Sequence, residues 1–116
     1  MKMMSGTMYP PGDLLLLPFP FSDRNSAKKR PVLLLKSADS LGDFICLAVT
    51  SVPDHSDGFL LNAADFVEGN LPRESWVRTE KAYTLNVSLV LGRFGSLKPD
   101  VFAQVHARFC AAVGCS

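Results

Sequence analysis

The apolar residues change their period once along this chain, at Pro99. Beyond it Val101, Phe102, Val105, Phe109, Ala112 and Val113 recur at helical offsets and form one stripe. Pro99 suits the first helical position and Gly114 the left-handed stop. Before Pro99 the apolar residues come in short runs broken by turn residues. Leu14–Leu17, Arg30–Leu35, Asp43–Ser51, Phe59–Leu61, Ser75–Leu85 and Ser88–Phe94 read as strands. Pro18 is expected to end clean pairing of the first. Ala63–Val67 reads as a helical turn and Gly69-Asn70 as a reversal. A one-striped helix has to cover a sheet. The pattern therefore predicts a mainly β domain with a C-terminal helix, a compact barrel. At 116 residues the chain is one domain, residues 1–116, with 1–10 expected as a flexible N-terminal extension.

Composition narrows the function classes. With 47% apolar and 20% charged residues the chain is globular. A net charge of +1 excludes a binder driven by overall positive charge, so any nucleic-acid site must be local. One such patch exists: Arg24, Lys28, Lys29 and Arg30 follow Asp23 closely, although taken alone it is better explained as a solvated loop. Cys46, Cys110 and Cys115 match no metal or redox spacing. Cys46 and Cys110 read as small buried hydrophobes, which suits a reducing compartment. Met1–Tyr9 is too short and polar for a secretion signal. Leu14–Phe21, with its two prolines, is too short to span a membrane. The expected location is cytoplasmic, with no membrane partner. The aspartates form no ligand cluster with a histidine, and neither a Ser-His-Asp arrangement nor a phosphate-cradling glycine loop occurs. No metal or cofactor is expected.

Four segments in order resemble the PemK/MazF toxin family. They are Gly12-Asp13-Leu-Leu-Leu-Leu-Pro18-Phe-Pro-Phe-Ser-Asp23, Lys28-Lys29-Arg30-Pro31-Val-Leu-Leu-Leu, Leu47-Ala-Val-Thr50-Ser51, and Ser75-Trp-Val-Arg78-Thr79-Glu80-Lys81-Ala-Tyr83-Thr-Leu85. Ser88-Leu89-Val90 and the helix follow. The resemblance runs from about residue 11 to the last helix. It implies an SH3-like barrel of the PemK/MazF/CcdB toxin type, usually a homodimer. It also implies a metal-independent endoribonuclease acting on single-stranded RNA, and an antitoxin whose flexible tail occupies the RNA groove. By the same resemblance the catalytic arginine is Arg30 and the active-site threonine Thr50. A second catalytic layout, known in the Kid branch, falls on Arg78 and Glu80. That branch has aspartate at the latter position, so Glu80 departs from it by one methylene. The loop Asp23–Lys29 lacks the glycine expected there.

Residue chemistry fits these positions. RNA cleaves when its 2′-hydroxyl attacks the adjacent phosphorus in line. Arginine suits the charge that develops, because its planar fork binds phosphate bidentately and stays protonated. It is a poor base for the same reason. Arg30 is thus a phosphate clamp and candidate proton donor, with Thr50 bonding a phosphate oxygen or holding Arg30. Residues two apart share a strand face, so a regular strand sets Trp76, Arg78 and Glu80 in one row. That row offers a stacking platform, a cation and an acid. Lys28, Lys29, Ser51 and Trp76 are the candidates for RNA binding.

Plainer readings stand beside these. Arg30 can anchor its loop, Thr50 can be a satisfied strand threonine, and Trp76 can fill the core or a dimer interface. Arg78 and Glu80 can be a surface ion pair. His55 falls in a loop outside the motif, and His106 on the solvent face of the helix. A gyrase poison of the CcdB kind shares the fold but ends in Trp-Gly-Ile, which this chain lacks. A member that binds RNA or a partner without cutting is the remaining alternative.

Overall fold

The computed structural model describes residues 8–19, 28–52 and 58–115. Its elements are β1 (Asp13–Phe19), β2 (Lys28–Lys36), β3 (Asp43–Thr50), β4 (Phe59–Leu61), β5 (Phe66–Gly69), β6 (Ser75–Asn86), β7 (Gly92–Leu97) and helix α1 (Pro99–Val113). The strands form one antiparallel sheet in the order β4-β6-β3-β2-β1-β7-β5, curled into a half-barrel. This is the mainly β architecture with a C-terminal helix that the sequence predicts.

The sheet buries both faces. On one, Val101 and Val105 of α1 pack with Leu14, Leu33, Leu47, Val49 and Val77. On the other, Leu15, Leu17, Val32, Leu34, Phe44, Cys46 and Leu85 form a second cluster. Burying each such side chain contributes roughly 1.5–3 kcal/mol. Burial pushes the Cys46 thiol up to about 12, so it is an inert core residue. Tyr9 packs on the second cluster, and its carbonyl accepts the Ser37 hydroxyl at 2.9 Å. Residues 1–7 of the expected extension lie outside the described residues.

Several elements differ from the sequence reading. β1 runs through Pro18, which stands opposite Lys29. Pairing of β1 with β7 has ended at Leu16–Gly92, so no neighbour there requires the N–H that Pro18 lacks. The helical turn closes after Ala63–Asp65, where the Asp65 carboxylate accepts the Asn62 N–H at 2.8 Å, and Phe66–Gly69 continues as a strand. The expected strand at Ser88–Phe94 starts later. The Asn86 side chain accepts the Ser88 N–H at 2.9 Å and caps a 3-10 turn at Val87–Leu89. β5 and β7 meet at Gly69 and Gly95, where a Cβ on either residue would strike the other strand's backbone.

The helix stripe is buried only in its first half, for Val113 at the far end is exposed. There the reading of Cys110 as a buried hydrophobe is corrected. Gly114 takes the left-handed conformation (φ 84°), and the N–H groups of Gly114 and Cys115 both donate to the Cys110 carbonyl. This return brings Cys115 over Cys110, and the two are joined in a disulfide. Only Cys46 remains a free thiol.

Gly12-Asp13 has a structural task. Asp13 is buried on β1 and accepts Arg93 Nε of β7 at 2.9 Å. The same guanidinium reaches Glu68 of β5 at 3.2 Å and the Ser96 hydroxyl at 3.0 Å, tying three strands together. Bonds to Glu68 and Asp13 raise the Arg93 pKa, and Arg93 in turn holds the Glu68 carboxyl below its ordinary range. Backbone N–H bonds from Asp43 and Leu41 do the same for Asp39, which closes the β2–β3 turn.

Asp13→Asn keeps the shape but loses a charge-assisted bond, and should cost about 1–3 kcal/mol in urea unfolding. Asp39 and Glu68 have depressed folded-state pKa values. Their stabilisation is present above the ordinary carboxylate values of 3.8 and 4.5 and is lost as pH falls below them. Thermal melts should therefore drop on acidification through that range. Asp39→Asn should flatten part of the drop.

Candidate active site

Proline at position 31 decides where the site opens. Pro31 has no N–H to give to a neighbouring strand. The β2–β3 pairing ends beside it, at Val32–Ala48. Both strands continue, β2 paired with β1 as far as Phe19–Lys28 and β3 paired with β6 as far as Thr50–Trp76. Between the unpaired ends lies a cleft of about 280 Å³. Lys29, Arg30, Thr50, Ser51, Arg73 and Ser75 supply its polar lining. Leu16, Pro31, Val49, Leu71, Pro72 and Phe94 supply its apolar lining.

Alternation places the predicted side chains. Arg30 is two residues from Val32, and Thr50 two from Ala48, so both belong to the face of the second cluster. Trp76 is directly opposite Thr50 and shares that face, and Arg78 follows two residues on. Their neighbours Ser75, Val77 and Thr79 are buried on the other face. Arg30, Thr50, Trp76 and Arg78 thus occupy one face at one end of the sheet. Lys29 and Ser51 alternate to the opposite face, and Lys28 is exposed at the start of β2. Of the predicted residues, Lys28, Trp76, Arg78 and Glu80 lie outside the cleft lining.

Glu80 does not extend the row as a regular strand would. Leu47 pairs with Ala82 but Val49 pairs with Val77, so β6 carries three more residues than β3 between those pairs. An odd insertion inverts alternation. Glu80, Lys81 and Ala82 are accordingly all exposed, and Tyr83 and Leu85 turn to the second cluster. Glu80 forms no ion pair with Arg78.

The two arginines share an unusual feature. Arg30 Nε and Arg78 Nε are both buried, and neither has a hydrogen-bond partner among the described residues. A buried donor without an acceptor typically costs about 1–3 kcal/mol. Thr50 is differently placed: its Oγ1 already accepts the Val52 N–H at 3.1 Å, so its own proton is directed elsewhere. The face therefore presents two guanidinium donors and a hydroxyl donor, the groups that hold a phosphate or carboxylate.

Arg73 and Phe94 line the cleft without having been singled out in the sequence. Pro72 before Arg73 was the available signal, since it stiffens the approach to β6. Arg24 and His55 lie outside the described residues, as does most of the loop Asp23–Lys29. His106 is exposed on α1, between the rings of Phe102 and Phe109.

The model of the PemK-like, MazF-like toxins of type II toxin-antitoxin systems matches residues 10–113. By structure the chain is similar to a chain of the MazE–MazF crystal structure from Deinococcus radiodurans. That match has 22% identity and a TM-score of 0.74, covering 96% of this chain and 100% of that one. It is also similar to an endoribonuclease solved with its cognate antitoxin from a mycobacterial species, at 14% identity and TM-score 0.69, over 93% and 95% of the two chains. A third likeness is to the Mycobacterium tuberculosis toxin MazF-mt6, at 17% identity and TM-score 0.64, over 92% and 99%. Among curated proteins none matches by sequence. At these identities the solved structures establish a shared fold, while the family match extends over nearly the whole chain. The chain belongs to the PemK-like, MazF-like toxins of type II toxin-antitoxin systems.

Proposed function

We propose that this toxin is a metal-independent endoribonuclease that cuts single-stranded RNA, mRNA included, at particular sequences. The observation that carries the reading is the pair of buried, unpartnered Nε donors of Arg30 and Arg78 on one sheet face. A phosphodiester supplies the acceptors they lack, and a dry, preorganised donor is worth more there than in water. Solved relatives described as endoribonucleases add support from outside the chain.

In the proposed reaction the RNA 2′-oxygen bonds to phosphorus as the bond to the 5′-oxygen breaks. The products are a 2′,3′-cyclic phosphate and a 5′-hydroxyl. Arg30 and Arg78 hold the phosphoryl oxygens, and Thr50 donates its hydroxyl to one of them. Glu80 takes the 2′-hydroxyl proton, and Arg30 stands as proton donor to the leaving oxygen. Trp76 stacks an unpaired base, while Lys28, Lys29 and Ser51 guide the strand. An antitoxin with an acidic segment competes for the same donors. Relatives solved with MazE or a cognate antitoxin support such a partner. The working unit is a homodimer in the cytoplasm, where its RNA is. No cofactor takes part.

The irregular stretch holding Glu80 favours a second reading, a member of this fold that binds RNA or a partner without cutting. Incubation with single-stranded RNA in excess chelator separates the two. Cleavage leaving cyclic-phosphate ends supports the enzyme, and intact RNA bound by folded protein supports the binder.

Arg30→Ala should lower the cleavage rate about a hundred- to a thousandfold with the fold unchanged. Wild-type rates in that variant would remove Arg30 from the chemistry. Trp76→Ala should weaken RNA binding about fivefold to a hundredfold. Unchanged affinity in a titration would return Trp76 to a packing role.

A further inference from the structure

Beside the cleft lies a second cavity of about 200 Å³. Leu71, Pro72 and Arg73, on the connection from β5 to β6, line both spaces and form the wall between them. That wall is fixed at both ends. Leu71 is buried in the first core cluster, and the buried Ser75 hydroxyl donates to the Arg73 carbonyl at 2.8 Å. The Asn70 N–H donates to the Phe94 carbonyl at 3.3 Å. Arg73 is exposed on this anchored wall and forms no ion pair with a described carboxylate.

The second cavity divides into two kinds of surface. Leu61, Ala63, Phe66 and Pro72 are apolar, whereas Asn62, Asn70, Arg73 and Glu74 bring polar groups. The Asn70 side-chain oxygen already accepts the Leu71 N–H at 2.8 Å, which leaves its amide protons to donate. Glu74 contributes an acceptor. A cavity that has apolar side chains together with a donor and an acceptor among its lining residues can take a single nucleobase. The volume is below the range of about 300–1,000 Å³ usual for larger ligands. A single RNA strand carries one phosphate per base, so a cation on the wall between two adjoining spaces suits the phosphate linking their occupants.

We propose that the second cavity is a base-reading subsite for the nucleotide next to the cut, with Asn70 and Glu74 setting specificity and Arg73 clamping that nucleotide's phosphate. This rests on the ribonuclease reading and adds to it a sequence-discriminating position that the family motifs do not mark.

The test uses the full chain with two RNA probes. One is a randomised single-stranded library sequenced after cleavage. The other is a cleavable sequence from that library made uncleavable by a 2′-deoxy substitution at the cut, titrated across salt concentrations. Arg73→Ala should weaken binding alike for all sequences and reduce the slope of log affinity against log salt by about 0.7, the value for one single-strand phosphate. Glu74→Gln and Asn70→Ala should relax preference at one position flanking the cut, read in the library profile. Glu74 is exposed, so its variant folds even if Asn70→Ala does not. A wild-type enzyme that cuts, with an Arg73→Ala slope unchanged or a Glu74→Gln library profile unchanged, overturns the subsite and leaves the ribonuclease reading standing. A folded wild-type chain that neither binds nor cuts RNA overturns both.

Discussion

A strand with proline at position 31 cannot complete its ladder, and the organisation of the candidate site follows from that missing N–H. β2 and β3 pair as far as Val32–Ala48 and then part, each still held by its other neighbour. Their free ends are Lys29–Arg30 and Thr50–Ser51, which line the cleft. A gap within a sheet would ordinarily expose unmet backbone groups. Here proline removes one donor at the outset, and the polar side chains beside it face a space that a ligand can enter. The Arg-Pro dipeptide is therefore an architectural unit: the second residue opens the gap that the first one lines.

Rigidity around the gap comes from the opposite end of the sequence motif. Asp13 draws the Arg93 guanidinium across β1, β7 and β5, and Arg93 reaches on to Glu68 and Ser96. Helix α1 covers the adjoining face through Val101 and Val105. Preorganised donors act on a transition state only if their positions do not relax. A sheet buried on both faces meets that condition at the root of β2 and β3, while the arginine tips remain at the edge.

Much of this was legible in the sequence. The switch to helical period at Pro99 marks the helix, and the apolar runs at Leu14, Arg30, Asp43 and Ser75 mark the central strands. β5 and β7 were less readable, because Phe66–Gly69 and Gly92–Leu97 carry glycines that reflect close backbone approach and not strand propensity. The Cys110–Cys115 bond was hidden because it depends on the left-handed turn at Gly114. For the site, alternation puts Trp76 and Arg78 on one face, and the strand register does the same. It fails at Glu80, since an odd insertion in one strand is visible only once its partner's register is known. The wall at Arg73 is likewise a product of tertiary placement, with Pro72 its one local sign.

The central claim is that Arg30 Nε and Arg78 Nε are donors held ready for RNA phosphate. Nitrogen-15 NMR of the arginine Nε–H groups, with and without an uncleavable single-stranded RNA, reads this directly. The account predicts that both resonances move on RNA addition and that both protons exchange more slowly with water. Two resonances unmoved at saturating RNA would contradict it, and would place the RNA on another surface of the protein.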